Sequence, residues 1–106
     1  MNVVVRLAPS GTLYAVLEGD LDTAGGQVLR ERLDEFLDGR LDGGGPRRLV
    51  VDAGAVTFAD VAGLRVLLWA DTVMRGGGGT LVLRRPGRPL LRVIALLGFD
   101  DLLSVE

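Results

Sequence analysis

Thr57-Phe58-Ala59-Asp60-Val61-Ala62-Gly63-Leu64 joins two stretches of opposite character. Upstream, residues 48–51 form an apolar run that ends at Asp52 and reads as a buried strand. Downstream, residues 64–74 carry apolar side chains at helical spacing. A strand–loop–helix junction gathers unpaired backbone N–H groups and the positive end of a helix dipole at one surface point. Asp60 is placed to cap that helix, and the two short residues before Gly63 let another surface come close. Val61 stands where chemistry would be expected and offers none.

The helix beginning at Val61 is more apolar than one buried stripe requires. Leu64, Leu67, Ala70 and Met74 form its core face, which turns Val61, Arg65, Leu68 or Trp69, and Thr72 outward. Trp69 serves either as a core filler or, beside Leu68 and Val61, as an interface residue. Gly76 to Gly79 closes the helix; it lacks the Gly-Lys-Ser/Thr ending of a phosphate loop and follows a helix rather than opening one. Residues 80–84 read as a strand. Pro86-Gly87-Arg88-Pro89 leads into a short helix with apolar face Leu90, Leu91, Val93, Ile94 and Leu97, and Gly98 is its expected C′ residue. Residues 102–105 are a candidate last strand. The Arg84-Arg85 and Arg88 group reads as solvated surface.

Towards the N-terminus, residues 3–7 are β-branched and are closed by Pro9-Ser10-Gly11, a turn signal. In residues 12–17, Leu13, Ala15 and Leu17 alternate with Thr12, Tyr14 and Val16, so the two runs read as a hairpin. Glu18-Gly19-Asp20-Leu21-Asp22-Thr23 then precedes a helix, which Asp22 or Thr23 can cap. Asp20 and Asp22 serve as capping groups or as a direct ligand or partner contact. Gly25-Gly26 weakens the first turn by up to about 1 kcal/mol per Gly. Val28, Leu29, Leu33, Phe36, Leu37 and Leu41 form one helical stripe, ended by Asp42-Gly43-Gly44-Gly45-Pro46. Residues 48–52 carry apolar side chains on both faces, as in a sheet covered by helices. The order is β-β-α-β-α-β-α-β: a single α/β domain over residues 1–106, with a mixed β-sheet and right-handed crossovers.

Composition narrows the function. The chain has 106 residues, no Cys and no His. That removes disulfides, thiolate chemistry and imidazole bases, and leaves zinc only carboxylates. The only serines are Ser10 and Ser104, with no base available by type, so catalysis and cofactors are not expected. Net charge is −2 and the arginines are scattered, against the concentrated basic face that nucleic acid requires. No secretory leader or membrane-length apolar run is visible, which makes a cytoplasmic protein the expectation.

Several stretches, in order, resemble a STAS domain, the family of bacterial anti-sigma factor antagonists. They are Gly19-Asp20-Leu21-Asp22-Thr23; Leu49-Val50-Val51-Asp52; Val56-Thr57-Phe58-Ala59-Asp60 with Gly63-Leu64-Arg65-Val66-Leu67-Leu68; Leu81-Val82-Leu83; and residues 93–100. The resemblance implies a non-catalytic partner switch. Its partner is an anti-sigma factor that is also an ATP-dependent serine kinase of the GHKL-ATPase type. The partner-binding surface it implies comprises Asp20, Asp22, Thr23, Asp60, Val61, Ala62, Gly63, Leu64 and Arg65. In such proteins the kinase phosphorylates a Ser or Thr in an Asp-Ser-Ser/Thr-Gly motif and ends the interaction.

Here Asp60 and Gly63 match that motif, but Val61 occupies the acceptor position and Ala62 replaces the second hydroxyl residue. Neither can receive a phosphate. Thr57 is the nearest hydroxyl and the alternative acceptor. Many relatives continue past the position of Glu106 into a terminal helix; without it, part of the sheet is expected to be uncovered and open to homo-oligomer formation. Two other roles fit the same resemblance: an accessory subunit like the STAS partners of lipid-transport ATPases, and a scaffold in a signalling complex of several STAS proteins.

Overall fold

The computed structural model describes residues 1–37, 45–99 and 103–106. The chain order is β1 (Asn2–Leu7), β2 (Thr12–Leu21), α1 (Thr23–Leu37), β3 (Arg48–Ala59), α2 (Val61–Gly76), β4 (Thr80–Arg84), α3 (Arg88–Leu96) and β5 (Ser104–Val105), as expected. The strands lie side by side in that sequence. β1 and β2 form the antiparallel hairpin, and every later pairing is parallel, so the sheet is mixed. Leu41 and Asp42 to Gly44, expected at the end of the first helix, and Leu102, expected in the last strand, lie outside the described residues.

Pairing register explains the core. Leu13 stands beside Leu49 and Leu49 beside Leu81; Ala15, Val51 and Leu83 repeat the row one pleat on. All lie on one face because side chains alternate along a strand. Against them pack Leu64, Leu67, Ala70 and Met74, the expected core face of α2, all buried. α3 contributes Leu90 and Ile94, while Leu91 and Leu97 of its expected apolar face are exposed. Val28 is likewise at the solvent edge of the α1 stripe.

The opposite face differs from the expectation for residues 48–52. Val4, Arg6, Tyr14, Val16, Asp52 and Arg84 line an open groove there, to which no described helix contributes a residue. Val50 is nonetheless only 1% exposed, because its register neighbours Tyr14 and Val82 flank it within the sheet. Its apolar character reflects shielding by adjacent strands and not a second helical layer.

β3 also runs farther than expected, through Thr57-Phe58-Ala59. Two register shifts bend it: Val16 faces Asp52 while Glu18 faces Ala55, and Gly19 faces Val56 while Asp20 faces Phe58. Each leaves an extra residue on β3, which is a β-bulge. The first is braced by Asp52, whose Oδ1 accepts the Gly54 N–H at 3.0 Å and whose Oδ2 accepts from the Arg85 guanidinium at 2.7 Å. That guanidinium, ahead of the Gly54 bond, holds the Asp52 carboxyl below its ordinary value of 3.8 despite some desolvation. A depressed folded-state pKa contributes stability that is complete above the unfolded value and is lost as pH falls through the folded one. Arg85→Gln should therefore lower urea-derived stability at neutral pH by up to about 1 kcal/mol, since the pair is solvent-accessible. Variant and parent should converge as pH falls through the lowered Asp52 pKa; an equal gap at all pH values would show that Asp52 ionisation is not the cause.

Candidate functional site

β3 ends at Ala59 and α2 begins at Val61, so the junction between them is the single residue Asp60. Every polar group of its backbone is used. Its N–H donates to the Leu21 carbonyl at 3.2 Å, and its own carbonyl accepts the Leu64 N–H at 3.0 Å. Its side-chain Oδ1 accepts the Gly63 N–H at 3.0 Å, the expected cap. A cap of this type contributes about 1 kcal/mol, and its carboxylate sits at the positive end of the α2 dipole.

The start of α1 is built the same way. Asp22 Oδ1 accepts the Gly25 N–H at 2.8 Å, and the Asp22 carbonyl accepts the Gly26 N–H at 2.7 Å. Of the two candidate caps, Asp22 carries the role and Thr23 is the first, exposed residue of the helix. Asp20 does not cap. Its Oδ1 accepts the Thr57 hydroxyl at 3.0 Å, across 37 positions of sequence. The second bulge makes this possible, because it gives Thr57 and Phe58 consecutive exposed positions where a regular strand would bury one.

Three glycines set the two helix starts close together. A Cβ on Gly63 would overlap the Leu21 carbonyl oxygen, and one on Gly25 would overlap that of Asp20. A Cβ on Gly26 would stand 3.4 Å from Gly63 Cα and 3.0 Å from Val66 Cγ2. The Gly25-Gly26 pair therefore costs helix propensity but permits α1 and α2 to start side by side over the end of β2.

The residues expected to form a partner surface thus come together, in two tiers. Asp20, Thr23 and Arg65 are exposed, Asp22, Asp60 and Ala62 are half-buried, and Val61 is 42% exposed on the first turn of α2. Gly63 and Leu64 are buried and support the turn from beneath. Trp69 is half-buried under the Arg30 guanidinium, which lies 4.4 Å from its ring centre, so this ring ties α1 to α2.

Two grooves flank the turn, and most of their residues were not legible as site residues. One, of about 300 Å³, is lined by Val61, Leu64, Arg65, Leu68, Leu97 and Phe99. The other, of about 350 Å³, lies between the end of β3 and α3 and is lined by Thr57, Phe58, Ala59, Arg88, Pro89, Arg92 and Val93. Phe58 is 50% exposed there. Among the described residues no group of three or more His, Cys, Asp or Glu side chains could hold a metal ion, and no helix is long and apolar enough to cross a membrane. An exposed apolar turn between two shallow grooves is suited to protein contact.

Comparison with known proteins places this architecture. Residues 10–104 match the family described as Mlab, STAS domain. BtrV of Bordetella bronchiseptica, assigned as an anti-sigma factor antagonist, is 32% identical over 95 residues, covering 90% of this chain and 78% of that protein. An anti-sigma factor antagonist from Mycobacterium paratuberculosis superimposes with a TM-score of 0.81 at 21% identity, over 98% of this chain and 83% of its own. The antagonist SpoIIAA in its unphosphorylated form superimposes with a TM-score of 0.79 at 15% identity, over 99% of this chain and 88% of its own. These two low-identity superpositions establish the shared fold, and the family match together with the BtrV identity establishes descent: the chain belongs to the STAS domain family and is homologous to anti-sigma factor antagonists.

Proposed function

We propose that this domain binds an anti-sigma factor of the serine-kinase, GHKL-ATPase type through the Asp60 turn and that it lacks the usual phosphoryl acceptor. Val61 carries the proposal. It is exposed at the first residue of α2, beside the capping Asp60, and its side chain is hydrocarbon. A hydroxyl there would be open to a kinase, and a phosphate would add about −1.5 to −2 charges beside a carboxylate. Valine instead presents an apolar contact that no phosphorylation can reverse, which favours a binding module that is always competent and controlled by abundance. The domain then works in the cytoplasm, without cofactor or catalysis, and contacts neither nucleic acid nor membrane itself. Asp20, Asp22, Thr23, Ala62 and Arg65 complete the contact surface around Val61, with Thr57 at its edge.

The test is incubation of the protein with the anti-sigma kinase of its own genome and ATP, with affinity and intact mass followed together. Tight binding that ATP does not reverse, with unchanged mass, is the expected result. A stoichiometric phosphate on the wild-type chain would sink the claim that the acceptor is lost, and absence of binding would sink the antagonist role.

One observation favours a second reading. The family that matches residues 10–104 is described by Mlab. A STAS accessory subunit of a lipid-transport ATPase would use the same turn to dock on a nucleotide-binding subunit and would need no phosphorylation cycle. Binding to such a subunit, and to no anti-sigma kinase, would select it.

A further inference from the structure

Most arginines of this chain are used by the chain itself. Among the described residues, Arg48 and Arg84 grip Glu106, Arg75 pairs with Asp71, and Arg85 pairs with Asp52. Arg32 donates to the Val3 carbonyl, and Arg6 and Arg30 lie over Tyr14 and Trp69. Arg47, Arg65, Arg88 and Arg92 have no such partner, and the last three line the grooves beside the Asp60 turn. The nearby acids are directed elsewhere: Asp22 and Asp60 to helix caps, Asp20 to the Thr57 hydroxyl.

Arg88 and Arg92 are four residues apart on α3, hence on one face, and they border the groove that holds Phe58. The apolar elements of that groove are Phe58, Ala59, Pro89 and Val93. Two unneutralised guanidiniums beside an exposed aromatic ring suit a carboxylate-bearing chain with an apolar anchor, because Arg binds carboxylates bidentately and pays little desolvation. The groove is continuous with the proposed contact turn through Thr57 to Val61.

We propose that the groove between β3 and α3 receives an acidic segment of the protein partner, with a large apolar side chain against Phe58 and Asp or Glu side chains on Arg88 and Arg92. This rests on the docking role proposed above and names the chemistry of what docks. The surface is then polarised: its Asp20 and Asp22 side repels the same acids that its α3 side attracts, which fixes the orientation of the partner.

The test measures affinity for the anti-sigma kinase of the same genome at about 0.05 M and about 0.3 M salt. The wild type is compared with Arg88→Glu/Arg92→Glu and with Arg47→Glu. Arg47 lies before β3, at the end opposite the turn. An acid at the first residue of α3 suits the helix dipole, so the double variant is expected to fold, which circular dichroism checks. The proposal expects the double variant to bind at least about tenfold more weakly at low salt and to lose most of the salt dependence, with Arg47→Glu unchanged. Wild-type-like binding by the double variant overturns the proposal and leaves the docking role standing. Equal weakening by Arg47→Glu overturns it in favour of general charge. A dimer in sedimentation that the double variant dissolves puts a second copy in the groove and also overturns it. Absence of wild-type binding removes the docking role and this proposal together.

Discussion

Gly63→Ala is expected to destabilise the domain by about 2–4 kcal/mol, a loss visible as a fall in Tm of roughly 10 °C or more. In an isolated helix the same substitution would be favourable by up to about 1 kcal/mol. The sign reverses because the added Cβ would overlap the Leu21 carbonyl oxygen, and the next nearest atoms are the Leu21 carbonyl carbon at 2.6 Å and its Cγ at 2.7 Å. Rotamer changes cannot move a backbone carbonyl, and that carbonyl also accepts the Asp60 N–H. Relief would need α2 to lift from β2, which opens the core around Leu64 and loosens the cap at Gly63. Gly76→Ala is the internal control: it lies in the last turn of the same helix, and a Cβ there meets nothing within 4 Å. It should leave stability unchanged or raise it by up to about 1 kcal/mol. Chemical denaturation of the two variants decides the matter, and a neutral Gly63→Ala would mean that α2 does not sit as closely on β2 as described.

The same geometry explains why Asp60 and Gly63 occur together. Asp60 caps through the Gly63 N–H, and Gly63 lets the capped turn rest on the end of β2. Val61 and Ala62, which lie between them, are free of both duties. Of the two, Val61 is the more exposed, so its identity is the less constrained by packing.

The elements with unbroken periodicity were legible in the sequence. Leu13, Ala15 and Leu17 marked one face of β2, and Leu64, Leu67, Ala70 and Met74 marked the core stripe of α2. Pro89 marked the start of α3, and Gly98, at φ 72°, its C′ position. The second half of β3 was not legible because its two bulges replace alternation with a three-residue repeat: Ala53, Val56 and Ala59 point inward, and the pairs between them point out. A strand with that pattern looks like a loop. The coverage of the sheet on one face was hidden for a different reason. Val50 is shielded by its neighbours in the sheet, and burial on a strand's two faces does not reveal what does the burying.

Of the site, the turn itself was legible from residue types, and the contacts across it were not. Asp20 and Thr57 each stood out singly, but their hydrogen bond depends on the parallel β2–β3 register and on the bulge. Arg84, Arg85 and Arg88 looked alike as a solvated group. Two of them prove to be engaged with Glu106 and Asp52, while Arg88 is left free beside Arg92. Which arginines a fold consumes is a property of the folded pairings, and sequence proximity does not carry it.

Val61→Ser is expected to create a phosphorylation switch at the exposed first residue of α2, where the wild type carries a hydrocarbon side chain. The substitution is mild for the fold: Ser and Val have similar helix propensities and position 61 is exposed, so stability should change by no more than about 0.5 kcal/mol. What changes is chemistry. A hydroxyl now stands at the N-terminus of α2, where the helix dipole favours an anion and the domain can carry a phosphate without unfolding. For the bound partner the result is opposite. A charge of about −1.5 to −2 would replace an apolar contact, next to the Asp60 carboxylate, and its desolvation opposes docking. Incubation with the anti-sigma kinase and ATP should add one phosphate to Val61→Ser and none to the wild type. Affinity of the phosphorylated variant should fall by about a hundredfold or more. Val61→Glu separates charge from transfer: it should bind weakly with no ATP present, whereas unphosphorylated Val61→Ser should bind nearly as well as Val61. If both variants bind like the wild type, the turn is not the contact surface. If Val61→Ser binds the anti-sigma kinase fully yet is never phosphorylated, position 61 is not presented to the kinase as an acceptor and the lost-switch reading fails. If the wild type gains the phosphate as well, Thr57→Val asks whether the acceptor is Thr57, whose hydroxyl already points its proton at Asp20.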